Sequence, residues 1–269
     1  DSSSSKKDVS SSSVSSSSSE KQSSSSVGSS SSSVKRSSSS VASSSSFVKQ
    51  DYTSPNLSYG VFEYEQRKYK YLTVTGKDTN NKAATINVMA ENLNVGEMVD
   101  GDKDQNNDSK IERYCYDNDT TNCQKYGGLY QWAEMMKLPS ECNTKSCADS
   151  IKPNHQGICP DGWRLLTYDD MYVVVHANGN RNGVADIRSM GFGGFNYSGY
   201  GLIGAGYLWN YNFKNLDEAT YWHYPEEAIR GGDINVKSFS GRQNNTSTAI
   251  TSQDANKTHG FSVRCVKVD

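Results

Sequence analysis

The chain has 269 residues, with 28 Lys and Arg against 30 Asp and Glu, for a formal net charge of -2. That balance, with no basic stripe, excludes a nucleic-acid surface built on clustered cations. No apolar run approaches the roughly 18–20 residues that cross a bilayer as a helix, so no transmembrane segment is expected.

Residues 1–50 are dominated by Ser, with isolated Val residues; Val27, Val34, Val41 and Val48 recur at intervals of seven. One apolar position per heptad leaves no coiled-coil seam, and so little apolar surface cannot offset the cost of ordering the chain. The tract therefore reads as an extended linker or stalk, up to about 160 Å long at full extension. Its hydroxyls are candidate attachment points for O-linked sugars. Residues 51–269 are rich in Tyr, Trp, Gly and Asn, and are long enough to build a single core. The chain begins at Asp1 rather than Met, and is read as a processed form whose targeting segment has been removed.

In the second part, Val61, Tyr64, Tyr69, Tyr71 and Val74 sit among polar residues as strands do, and Ile86–Met89 reads as another strand. The acidic run that follows places Asp100, Asp102, Asp104, Asn106 and Asp108 at the alternate positions of a calcium loop. Gln105 stands where such a loop turns on Gly, and Glu112 falls one residue late, so a solvated polar loop is the first reading and a calcium site the alternative. Asp117-Asn118-Asp119 reads as a second oxygen cluster or a tight turn. Leu129–Met136, after Gly127-Gly128, reads as a short helix with an apolar stripe. A second helix is expected from Thr167, with Asp170 completing a capping box and Asn178-Gly179 ending it; Val173–Val175 would also suit a strand. Residues 191–206 alternate Gly with Phe and Tyr and read as irregular loops. Phe261–Val266 is the last expected strand.

Six Cys allow many pairings, and their spacing suggests one. Cys115 and Cys123 flank a tight polar loop, Cys142 and Cys147 enclose four residues, and Cys159 is left for Cys265. No CxxC occurs and no His lies close to a Cys pair, which favours disulfides over a metal site. An oxidising compartment follows, hence an extracellular or cell-surface location. The four His are scattered, no GxSxG surrounds a Ser, and no glycine loop precedes a Lys-Ser or Lys-Thr, so no enzyme is expected. Trp209, Tyr211, Trp222 and Tyr224, with Tyr207 among nearby Asn and Asp, form a candidate carbohydrate site. The alternative reading of the same residues is core.

Several segments together carry a resemblance: Met89–Asn94 (MAENLN), Cys115–Asp119 (CYDND), Tyr126–Ala133 (YGGLYQWA), Cys159–Leu165 (CPDGWRL) and Gly260–Val266 (GFSVRCV). In this order they resemble the Fibrobacter succinogenes major paralogous domain, over roughly Gly60 to Asp269. The resemblance implies an exported bacterial domain, often on proteins with serine-rich leaders, with no established biochemical activity. The entry at Trp163-Arg164-Leu165 is also similar to the formylglycine-generating-enzyme branch of the C-type lectin-like fold. The expectation is a single disulfide-stapled α+β domain of that type, with short helices and antiparallel strands, behind the Ser-rich segment. The enzyme of that branch relies on reactive thiols, and with all six Cys bridged its activity has no residue here. Two departures lie at Leu165-Leu166, where the family carries Leu-Pro, and at Tyr207-Leu208-Trp209-Asn210, where it tends to carry Trp-Ser-Ser.

The resulting expectation is a non-catalytic surface protein with a structural or adhesive role. It would be a glycosylated filament subunit whose arm contacts other copies of itself; the alternative is a lectin-like, carbohydrate-binding module on a serine-rich linker. No cofactor is expected; calcium at the Asp100–Asp108 loop is the one candidate.

Overall fold

The computed structural model describes Ser54 and residues 57–268. The readings made for residues 1–50, stalk, O-glycosylation and filament contact alike, lie outside the described residues.

Alternation in Arg67–Lys77 (β2) changes phase part-way, so this strand serves two cores. Tyr69 and Tyr71 face one side, while Leu72, Val74 and Gly76 are buried on the other. Its hairpin partner Gly60–Tyr64 (β1) is joined through Glu65 and Gln66, both left-handed at φ 47° and 60°, as a two-residue hairpin turn requires. Ala83–Met89 (β3) pairs on the far side. Glu97–Met98 (β4) and Glu112–Arg113 (β5) form a small parallel pair.

The polar segment between the first two cysteines folds as a turn and a helix. Asp117 and Asn118 adopt left-handed φ of 54° and 56°, and the Asp119 carboxylate accepts from Thr121 N at the start of Thr120–Tyr126 (α1). The apolar run after Gly128 was expected to be wholly helical. Its first residues instead form a strand, Leu129–Tyr130 (β6), and only Trp132–Met136 (α2) is helix. Pairing with a distant strand overrides the local pattern here. After Trp163–Leu165 (β7) comes Tyr168–Val175 (α3), with the full Thr167–Asp170 capping box. The Val173–Val175 run is thus helix, and packs on β2 so closely that a Cβ at Gly76 would lie 2.4 Å from Val173 O.

The second half is almost entirely strand: Ala205–Trp209 (β8), Asn212–Leu216 (β9), Ala219–Glu227 (β10), Lys237–Asn244 (β11) and Thr251–Asn256 (β12). The expected terminal strand is divided into Phe261–Ser262 (β13) and Cys265–Lys267 (β14), which belong to different sheets. One sheet runs β1-β2-β3-β14-β7, the other β12-β11-β10-β13-β6, with β8 and β9 added beside β10. Most ladders are antiparallel, as expected, but β10 meets both β8 and β13 in parallel. The architecture is mostly strand with a few short helices, stapled by three disulfides, Cys115–Cys123, Cys142–Cys147 and Cys159–Cys265.

The crossing between sheets is pinned by Arg264. It is buried, lies 4.1 Å above the Tyr200 ring, and donates to Asn92 Oδ1 at 2.8 Å and to the carbonyls of Tyr200 and Gly201. Arg delocalises its charge and carries donors in a fixed fork, so a cage of carbonyls suits it where an ammonium would be left under-bonded. A second internal cation, Lys257, is fully buried. Its Nζ lies 2.7 Å from Glu227 Oε1, 3.0 Å from Cys142 O and 3.1 Å from Lys145 O, and 4.5 Å from the centre of the Trp132 ring. The same Glu227 accepts from Ser146 Oγ and Cys147 N, so one ion pair holds the short Cys142–Cys147 loop against β10.

Candidate functional site

The aromatic residues proposed as a sugar site divide by strand parity. On β10, Trp222 and Tyr224 point into the core beneath α3, with Phe239 and Tyr200, and are 6 % and 0 % exposed. They are core residues, and this overturns their assignment to a binding platform. Tyr221, between Thr220 and Trp222, points to the opposite face. There it meets Tyr207 and Trp209 of β8, at ring separations of 4.3 and 5.9 Å. Trp209 is half-buried and lies 3.9 Å from the His259 ring. Tyr211 occupies the tip of the β8–β9 hairpin, is 45 % exposed, and donates its hydroxyl to Asp104 Oδ1. The tip is the two-residue turn Asn210-Tyr211, left-handed at both positions.

Beside Tyr207 and Tyr221 opens a cleft of about 360 Å³, its rim formed by the β9–β10 turn and the end of β11. Tyr207 Oη donates to Asn215 Oδ1 at 2.8 Å, and Asn215 Nδ2 donates to Glu218 Oε2 at 2.7 Å. Arg242, directly opposite Tyr221 in the ladder, donates from Nη1 to the Tyr221 hydroxyl at 3.1 Å. Asn244 and Asn245 complete the rim, and Asn245 N is tied to Glu218 O at 3.1 Å. Burial, and then the neighbouring Tyr221, push the Tyr207 phenol above its ordinary range, so it stays a neutral donor. The cleft therefore presents the half-buried Tyr207 ring beside a guanidinium, a carboxylate and several amides, while Tyr221 is 6 % exposed, packs with Ala255 and Phe261, and forms its floor. That set can stack on an apolar ring face while exchanging hydrogen bonds with hydroxyls around its rim.

The calcium loop is not assembled. Gln105, at the position that should turn, is 1 % exposed: it donates to Leu129 O and accepts from Gln131 N. That anchor pulls the run across the core edge instead of curling it around an ion. Asp104 Oδ1 is occupied by Gln131 Nε2 and the Tyr211 hydroxyl, Asp108 Oδ1 accepts from Ser140 N, and Asp102 faces Lys103. Asp100 and Asn106 point to solvent. Among the described residues no three His, Cys, Asp or Glu side chains gather as a metal site.

Residues 82–267 match the model of the Fibrobacter succinogenes major domain. The chain belongs to that family. No curated protein and no solved structure matches it. Within the Fibrobacter succinogenes major domain, the quoted segments build the frame: Asn92 and Arg264 bond to each other, Cys159 and Cys265 are bridged, and Trp132 and Trp163 are buried. The cleft comes from residues 207–245, outside all of them. Sequence reasoning missed Tyr221, Asn215, Glu218, Arg242, Asn244 and Asn245. Period-two alternation in Tyr221-Trp222-His223-Tyr224 signals that Tyr221 and Trp222 face apart, but the register that brings Arg242 to Tyr221 has no local signal.

Behind this face His223 is held between Ser238 Oγ (2.7 Å) and His259 O (3.0 Å). Burial, with the nearby His259, lowers its pKa to about 3, and burial with Lys214 lowers His259 to about 4. Both rings are neutral when folded, whereas unfolded His takes a proton below about pH 6.5. Stability present above that pH is thus lost as pH falls toward the folded values. Glu134 opposes this: burial, then Glu112 and Asp108, push its carboxyl up to about 7, so its contribution grows as pH falls from 7 toward the ordinary Glu range. Two His against Glu134 leave a net loss of about 1.5 kcal/mol between pH 6.5 and 5, which Glu226, its carboxyl also raised by burial, reduces further. Denaturant titration across that range measures it, and Glu134→Gln should steepen the loss; a flat profile would contradict the two buried neutral imidazoles.

Proposed function

We propose that this is a non-catalytic, exported surface domain that adheres by binding carbohydrate in the cleft between Tyr207, Tyr221 and Arg242. The observation that carries the reading is the half-buried Tyr207 ring beside a hydrogen-bonding rim of Asn215, Glu218, Arg242 and Asn244 in one open cleft. Three disulfides, which persist in oxidising surroundings, support an extracellular setting. A C-type lectin-like fold agrees with short helices set among curled sheets and with a Cys159–Cys265 bridge beside β7 and β14. The Ser-rich segment then serves to display the domain, and the filament role expected from it rests on residues outside the described ones.

The test is a glycan array with full-length protein, followed by calorimetric titration of the best binder. Arg242 is exposed, so Arg242→Ala should leave the melting temperature within a degree or two while weakening binding by about tenfold or more, the scale of one charge-assisted hydrogen bond lost. An array without a single binder at millimolar concentration, or binding indifferent to Arg242→Ala, would rule the site out.

A further inference from the structure

A second aromatic surface is carried by a loop whose backbone is tied to the turn bearing Asn244 and Asn245. Phe195 and Tyr197 are 53 % and 58 % exposed, and their rings stack at 5.8 Å with only 17° between planes. Large rings held parallel and open to water are uncommon on a surface that could have folded them inward, and neither belongs to the core described above.

The loop that carries them is bound to the rim of the cleft. Arg188, 5 % exposed, donates from Nε and Nη2 to Gly193 O, and from Nη1 to Asn244 O (3.0 Å) and Ser247 O (2.8 Å). One guanidinium thus joins the loop backbone to the turn that bears Asn244 and Asn245. Contact is direct as well, since a Cβ on Gly193 would lie 2.5 Å from Asn245 O. Phe195 is two residues from that point, at most about 7 Å along the chain.

We infer that the site takes an oligosaccharide rather than a single sugar, and that the stacked Phe195–Tyr197 pair is its outer subsite. This rests on the carbohydrate reading of the cleft. The inner end is polar and fixes orientation through Arg242, Glu218 and Asn215. The outer pair offers flat apolar area, suited to the ring face of a later sugar in the same chain. Arg188 is a positioning residue: it touches no ligand but sets the spacing between the two surfaces.

The discriminating measurement is affinity against chain length, with neutral and uronic oligosaccharides from two to six sugars titrated into full-length protein. Wild type should gain about tenfold or more between disaccharide and hexasaccharide. Phe195→Ala/Tyr197→Ala, exposed changes that leave the core intact, should abolish that gain and leave disaccharide affinity unchanged. Arg242→Ala should weaken every length equally. If the double variant keeps the gain, the outer subsite is wrong while the cleft reading stands. If Phe195→Ala/Tyr197→Ala weakens disaccharide and hexasaccharide alike, the pair belongs to the inner site and the inference also falls. Absence of binding at all lengths overturns both.

Discussion

Replacing both Cys159 and Cys265 with Ala should lower the unfolding free energy by about 4–5 kcal/mol. The bridge spans 106 positions, against 8 for Cys115–Cys123 and 5 for Cys142–Cys147. In the loop-entropy model the short bridges contribute roughly 2–3 kcal/mol each. The long one restrains the denatured chain most, and both its sulfurs lie in the core beside Trp163 and Val263. Two signatures are expected in guanidinium unfolding: a lower midpoint, and a steeper dependence on denaturant because the released chain exposes more surface. A loss below about 1 kcal/mol with an unchanged slope would show that the sheets, not the bridge, fix the ends of this loop.

Lys257→Met should cost about 3–5 kcal/mol, close to what the long disulfide supplies. Methionine matches the length of the chain and can still lie against Trp132, so packing is largely retained. What disappears is the cation. Glu227, 8 % exposed, would be left as a buried carboxylate holding only the Ser146 hydroxyl and Cys147 N, and the carbonyls of Cys142 and Lys145 would lose their donor. Glu227→Gln should destabilise by less, since an amide oxygen can still accept from Lys257. The ordering of these two variants by chemical denaturation is the check; equal losses would mean that loop packing rather than charge dominates. Proteolysis at residues 143–146 should accelerate in Lys257→Met, because that loop is what the ion pair ties down.

Features specified within a few residues were legible in the sequence. Thr167 and Asp170 form a capping box because both partners lie in one turn, and the pairing of nearby cysteines follows from short loops. The frame segments could be read because several of their residues, Asn92, Trp132, Cys159, Trp163, Arg264 and Cys265 among them, are buried and paired or packed. The candidate site was legible only in part. Tyr207 lines the cleft where aromatic density pointed, but Trp209 and Tyr211 lie outside it, and Trp222 and Tyr224 belong to the core, because β10 has protein on both faces. An aromatic in such a strand is assigned by its neighbours across the sheet, which composition does not encode. The acidic run misled for the same reason: Gln105 finds its partners at Leu129 and Gln131, more than twenty residues away.

The division of residues 261–267 between two sheets bears on when the molecule can form. β13 sits between β10 and β6, and β14 between β3 and β7, so neither sheet is continuous until this segment arrives. The Arg264 clamp and the partner of Cys159 arrive with it. A ribosome delivers these residues after all the strands they join, so the emerging chain has no complete sheet to settle into and must remain open. The Cys159–Cys265 bond then acts as a latch, since it can close only once the last strand is available.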